Sequence, residues 1–294
     1  MAFSSFSSHA KGVALTALGG IVLSVDAPLM RLGQGDAWSV LALRGTLTVL
    51  VALLIWVVVR LASGRSIPLV PGWRAAWAGL FYGVSSSLFV AAVFNTATAN
   101  VVFIIAFTPM FAALLSWIFL KERPGVATLV TMSIMILGVG LIVQGGLTSG
   151  HAFGDLIATA AAFCIGAAIT IGRSSRRDIG FVPLIGAIIP AACAFVAIYP
   201  HGILIENPVW IVIDGAIVLP LAFWCLATGP RYLPASEVGM FYLLETILAP
   251  IWVWFIFSEV PSAQTLTGGA ILIGALIGFS LWQMRVKSRE AVAG

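Results

Sequence analysis

The sequence predicts an all-α integral membrane protein of ten transmembrane helices, built as two inverted five-helix repeats with both termini in the cytoplasm. Three observations predict it: composition, the spacing of apolar runs, and the placement of basic residues. Of 294 residues, 61% are hydrophobic and 9% charged, and the mean hydropathy is +1.09. A soluble domain carries about 25% charged residues. So little polar side chain leaves no way to cover a water-facing surface, which excludes a cytosolic enzyme, a nucleic-acid binder and a secreted disulfide scaffold. Cys164, Cys193 and Cys225 all lie inside apolar runs and form no CxxC pair, so they read as core residues.

A spanning helix needs about 20 mostly apolar residues. Cutting the chain at charges, prolines and glycine clusters yields ten such runs. The first, 12–30, follows Lys11 and reads as a span rather than a cleaved leader. The second, 38–59, stops at Arg60. The third, 75–94, begins after Arg74 and is parted from the fourth, 101–120, by the polar NTATAN. Lys121 ends the fourth, and Pro124-Gly125 precede the fifth, 126–143. The sixth, 154–172, ends at Arg173, and the seventh, 181–199, at Pro200. Pro208 opens the eighth, 209–228, and Gly229-Pro230 closes it. The ninth and tenth are 237–257 and 264–284, the last ending at Arg285. The runs are continuous and lack the alternation of a membrane barrel.

The basic residues give the orientation. With a cytoplasmic N-terminus, the inward loops and tails carry Lys11, Arg60, Arg65, Arg74, Lys121, Arg123, Arg173, Arg176, Arg177, Arg231, Arg285, Lys287 and Arg289, which is 13 of the 15 Lys and Arg. Arg31 falls outside, and Arg44 lies within the second helix. The outward loops carry Asp36, His151, Asp155, His201, Glu206 and Glu259. This is the positive-inside pattern, and one missed helix would scramble it. It also accounts for the isoelectric point near 9.3 without nucleic acid.

A shift of 137 residues lays 99–143 on 236–280 without a gap, with Trp117/Trp254, Glu122/Glu259, Pro124/Pro261 and Thr128-Leu129/Thr265-Leu266 in register. The expected halves are 1–150 and 151–294. Five helices is an odd number, so the second half must run upside down, as in many secondary transporters whose substrate site lies between the repeats near the midplane.

Several segments carry a family resemblance. TPMFAALLSWIFLKERP (108–124) and GVGLIVQGG (138–146) are similar to the helix 4–5 signature of the drug/metabolite transporter superfamily, and more narrowly of the EamA-type ten-helix bacterial exporters. LRGTLTVLVALL (43–54) resembles their second helix. RYLPASEVGMFYLLE (231–245) and FSEVPSAQTLTGGAILIGALIG (257–278) resemble the second repeat. In one departure, Thr246 rather than Pro follows Glu245, and the proline stands at 250, which displaces a hinge there by about a turn. The resemblance implies export of small metabolites, amino acids or nucleosides among them, across a bacterial inner membrane. It implies neither an ATPase nor a cofactor, and the chain has no phosphate-binding G-x-x-x-x-G-K-[ST] loop.

Charged groups at membrane depth are the candidate site. Asp26 lies roughly 21 Å in from the cytoplasmic end of the first helix, and Arg44 roughly 9 Å below the outer end of the second. In a core about 30 Å thick these depths coincide. The expectation is an ion pair, either an outer gate or substrate anchor, or a static tie between two helices. Glu245 sits near the midplane with no evident basic partner. With Tyr242 three residues before it on the same face, it reads either as a cavity acid for a proton or a substrate amine, or as a carboxyl bonded to a neighbouring helix. Asp214 reads as a helix-terminal charge.

On the third helix, Gly79, Gly83, Ser87 and Ala91 form a small-residue packing stripe. Tyr82, Ser85, Ser86 and Phe89 fall beside it as substrate lining or as interhelical hydrogen-bonders. Pro109 and Pro250 are expected hinges. Trp38, Trp73, Trp77, Trp210 and Trp282 read as interface belt residues. His9, His151 and His201 are scattered, so no metal site is expected.

The predicted function is secondary export by alternating access through a central cavity, with amino acids, aromatic or apolar ones first, as substrate. The alternatives are an organic-cation or drug exporter and a non-transporting receptor or lipid-handling module. The expected partners are a small-molecule substrate, the lipid bilayer and either protons or a downhill gradient, with monomer and oligomer both left open.

Overall fold

The structure, a computed structural model, describes residues 8–63, 68–121, 123–175, 179–200, 202–228 and 235–293. Nearly all of it is helical. Among the described residues the extended pairing is one antiparallel bridge between Gly35 and Ile205. Seven stretches are long and apolar enough to cross a membrane: Lys11–Leu32, Ala37–Ala62, Trp73–Asn95, Thr98–Leu120, Val126–Gly145, Ala152–Gly172 and Pro208–Leu226. Three shorter apolar stretches, Val182–Ile198, Leu244–Phe257 and Ala263–Phe279, accompany them. The protein is an all-α, multi-pass membrane protein.

Four of these stretches are broken, and each break lies about one turn before a proline. The first is α1 (Ser8–Leu23) followed by α2 (Asp26–Leu32), parted ahead of Pro28. After α3 (Ala37–Ser63) and α4 (Trp73–Asn95), the next run divides into α5 (Thr98–Ile105) and α6 (Thr108–Leu120) ahead of Pro109. Beyond α7 (Val126–Ser149) and α8 (Ala152–Ser175), α9 (Val182–Gly186) and α10 (Ile188–Ile198) part ahead of Pro190. Then α11 (Pro208–Ile213) passes through a π-helical turn, Asp214–Val218, into α12 (Leu219–Thr228), which holds Pro220. The cause is common: proline has no N–H, and its ring crowds the carbonyl four residues earlier. In contrast, α13 (Ala235–Phe257) runs through Pro250 without interruption, and α14 (Ala263–Ala293) closes the chain.

Two helices end alike. Lys121 closes α6 at φ 57°, and Ser258 follows α13 at φ 54°, both left-handed and 137 residues apart. A left-handed residue past the last turn satisfies carbonyls that the helix leaves open.

The interior packs Met30, Val40, Val90, Ile104, Met110, Met135, Ile142, Ile211 and Leu272 into one apolar cluster. The outer surface is apolar as well: Leu61, Phe119, Val126, Val196 and Phe255 are each more than 70% exposed. Apolar on both sides is what a lipid surround demands. The five tryptophans expected at interfaces are all exposed.

Helices pack in a definite pattern. α4 lies on α8 and α9, and α1 on α12; α3 meets the π turn; α6 packs on α8 and α1 on α13; α3 pairs with α10, α5 with α13 and α7 with α14. Glycines allow the closest crossings. A Cβ on Gly83 would come 2.5 Å from the Gly186 carbonyl, one on Gly138 would come 2.9 Å from that of Gly268, and one on Gly215 would come 2.7 Å from that of Arg44.

Candidate functional site

The break between α1 and α2 puts Asp26 at the start of a short helix, with its side chain buried. Across from it, α3 presents Arg44. Nη2 of Arg44 donates to Oδ2 of Asp26 at 2.9 Å. The expected partners thus meet. The arrangement also holds a third charge. Asp214, first residue of the π turn, lies fully buried with Oδ2 at 3.3 Å from Nε of Arg44. It is therefore no helix-terminal charge: the widened turn aims it inward at α3. Thr48 donates to the Gly215 carbonyl at 3.0 Å, tying the same turn to α3. A straight-helix depth estimate hides this contact, because only packing of the turn against α3 sets it.

The guanidinium is enclosed on its remaining sides. Nη1 donates to the sulfur of Met30, a weak acceptor. The Phe89 ring centroid stands 5.9 Å from its central carbon, at cation–π range. Yet both oxygens of Asp214 and Oδ1 of Asp26 have no hydrogen-bond donor among the described residues. Glu245, on α13, lies within electrostatic reach of both Asp26 and Arg44. Two acids thus contact one base, and a third lies within electrostatic reach.

The other expected lining residues divide. Phe89 joins the charged cluster, and Ser86 is half-buried near it in sequence. The Ser85 hydroxyl donates to the Ala161 carbonyl at 3.0 Å, fixing α4 to α8. Tyr82 packs against a satellite cluster of Ala75, Ala78 and Val182. The side chain of Tyr242 lies outside the described residues. Pro109 follows the break between α5 and α6, whereas Pro250 is buried in an unbroken helix.

Three further sets of polar contacts lie outside this cluster. Trp252 of α13 donates its indole N–H to the Ser24 hydroxyl, at the break between α1 and α2, at 3.0 Å. Arg31, at the end of α2, pairs with Glu259 and donates to the Thr98 hydroxyl at 3.2 Å, with its guanidinium 4.6 Å from the Phe257 ring centre. Thr96 and Asn100 donate to buried Asp155 at 2.7 and 3.1 Å, and the Thr265 hydroxyl donates to Asn100 at 2.7 Å. Backbone bonds from Asp36 to Leu204 and from Asn207 to Gly33 join two loops at the Arg31 end of the molecule. A signal for the Arg31 pair lay in the sequence: on the expected orientation it is the lone basic residue of the outward loops. His, Cys, Asp and Glu form no metal-binding group among the described residues.

Residues 10–144 match the EamA-like transporter family. The amino-terminal half of the chain is thus similar to the EamA-type transporters. Among curated relatives, the uncharacterized transporter YdfC of Bacillus subtilis is 26% identical over 191 residues, 62% of each chain. An uncharacterized transporter of Synechocystis sp. is 26% identical over 67% of this chain and 62% of its own. A riboflavin transporter of Vibrio cholerae is 23% identical over 62% of both. The alignments thus span less than two thirds of these relatives' length. One solved crystal structure of another protein superposes with a TM-score of 0.64 at 16% identity, covering 93% of this chain and 98% of that one. That likeness fixes the fold.

Proposed function

We propose that this protein is an EamA-type secondary transporter of the bacterial inner membrane that exports small metabolites by alternating access. The reading takes the seven long and three shorter apolar stretches as ten spans with both termini cytoplasmic, and takes 1–150 and 151–294 as inverted halves. Helix packing supports the halves. Exchanging each span for its counterpart five positions on turns α4–α8 into α12–α1, α4–α9 into the π turn–α3, and α6–α8 into α13–α1. The same exchange returns α3–α10, α5–α13 and α7–α14 to themselves. The left-handed caps Lys121 and Ser258 obey the same 137-residue shift.

The observation that carries the transport reading is the buried Asp26–Arg44–Asp214 cluster at two helix irregularities. Charge in a membrane interior is costly and is placed where ions or substrates pass. Aromatic or apolar amino acids are the first substrate class. Phe89, with Tyr82 and Tyr242 as further candidate rings, suits an apolar side chain, and Glu245 suits the amine. A planar heterocycle is the second reading, favoured by the relative named as a riboflavin transporter. The test is counterflow in proteoliposomes with L-phenylalanine, L-tryptophan, riboflavin and tetraphenylphosphonium. Accumulation of either amino acid is expected, and its reduction in Glu245→Gln. Flux of the cation alone overturns the substrate class, and no flux of any probe overturns the transport reading.

A further inference from the structure

The buried cluster does not balance its own charge. Arg44 offsets one of two carboxylates, and among the described residues the other has no further counter-ion. Asp214 is fully buried, and neither of its oxygens receives a hydrogen bond from the described residues. Asp26 keeps one oxygen unpartnered as well. The surrounding elements do not repair this. α2 supplies Asp26 and α3 supplies Arg44. α11 and α12 contain no charged residue. α13 brings Glu245 within electrostatic reach, which is one more acid. α4 contributes the Phe89 ring, which stabilises the cation but neutralises nothing. An uncompensated carboxylate at this depth is expensive.

We propose that Asp214 is the proton-exchange site of this cluster, in which one proton on its carboxyl supplies the charge that Arg44 leaves unbalanced beside Asp26. Its arithmetic is simple. Two carboxylates, one guanidinium and one proton sum to zero. When the site opens to water, the O–H bond of the carboxylic acid breaks, the proton leaves to water, and the electron pair stays on the oxygen. The cluster is then one charge negative until a proton from the opposite side replaces the one lost. Asp214 stands in the π turn, where an extra residue loosens the helix ladder. The proposal rests on the transport reading only for the direction of proton flow.

The test reads the proton directly. The purified full-length protein in lipid nanodiscs is measured by infrared difference spectroscopy between neutral and alkaline pH. A carbonyl-stretch band of a protonated carboxylic acid is expected at neutral pH. It should shift in wild-type protein grown with aspartate carrying heavy carbon at the side-chain carboxyl. Either Asp214→Asn or Asp26→Asn should abolish it, since each leaves one carboxylate for one guanidinium. Glu245→Gln and Asp155→Asn should retain it. Absence of the band in wild type, its failure to shift with labelled aspartate, or its survival in Asp214→Asn overturns the proposal. The isotope arm needs no substitution, so it decides even where a variant fails to fold. A band that behaves as expected in protein showing no counterflow leaves the proton site standing and removes the transport reading instead.

Discussion

Arg44 is the residue on which most depends. Its guanidinium faces Asp26 at 2.9 Å and Asp214 at 3.3 Å, and Met30 and Phe89 cover the rest. Removing one member of a buried charge set costs about 3–5 kcal/mol, because it strands the partners. Arg44→Ala is therefore expected to lower the melting temperature and the monodisperse yield sharply in detergent. Adding Asp214→Asn should recover part of the loss by removing one stranded carboxylate, a coupling that a double-mutant cycle measures. The charge swap Asp26→Arg/Arg44→Asp is expected to rescue less than a two-residue pair would allow, because Asp214 then faces an aspartate across the α3 interface. Additive losses in the Arg44/Asp214 cycle would show that the two do not interact.

At the scale of elements, close crossings and proline breaks set the geometry. Gly83 lets α4 meet α9 almost backbone to backbone. Gly83→Val is expected to abolish folded protein, since the colliding atom is a main-chain carbonyl that cannot rotate away. Gly274→Ala is the counter-case: nothing stands within 4 Å of its added Cβ. A helical glycine costs roughly 0.5–1 kcal/mol against alanine, so a small rise in melting temperature is expected there. Equal melting temperatures for wild type and Gly83→Val would remove the packing argument. The helices themselves were legible because each apolar run is long and bounded by charge. The breaks were less so. Pro109 is legible as a hinge from its place inside a long apolar run, whereas the breaks ahead of Pro28, Pro190 and Pro220 show only in the folded chain. Asp26 and Arg44 could be paired from depth alone. Asp214 could not, because its direction depends on the π turn. Nor could the partner of Ser85, because a helical face reveals which residues share a side but not which neighbour they meet.

For the whole molecule, Arg31 and Glu259 join elements 228 residues apart in sequence. On the two-halves reading this pair bridges the halves at the outer end. Both side chains are about one-third exposed, so the pair is worth about 0–1 kcal/mol. On the alternating-access reading, a weak tie is what a gate that opens in every cycle requires. In a cysteine-free background carrying Ala99→Cys, Arg31→Ala is expected to speed labelling by a membrane-impermeant maleimide from outside, by up to about fivefold. An unchanged labelling rate would show that Arg31 does not hold the outer end shut. Glu259 was legible only as a loop acid aligned with Glu122. Its partner needed the folded chain.

The π turn at Asp214–Val218 also fixes how the chain tolerates changes in length. Such a turn holds one residue more than an α-helical turn. Shortening it by one residue would restore a regular helix and rotate everything before it by about 100° relative to α12. Asp214 would swing off Arg44 while every apolar residue stayed within the membrane. Along this span the reading frame of the helix, rather than its hydrophobicity, is what ties sequence to site. A single-residue deletion there would leave a membrane protein of the same fold without the third charge at its centre.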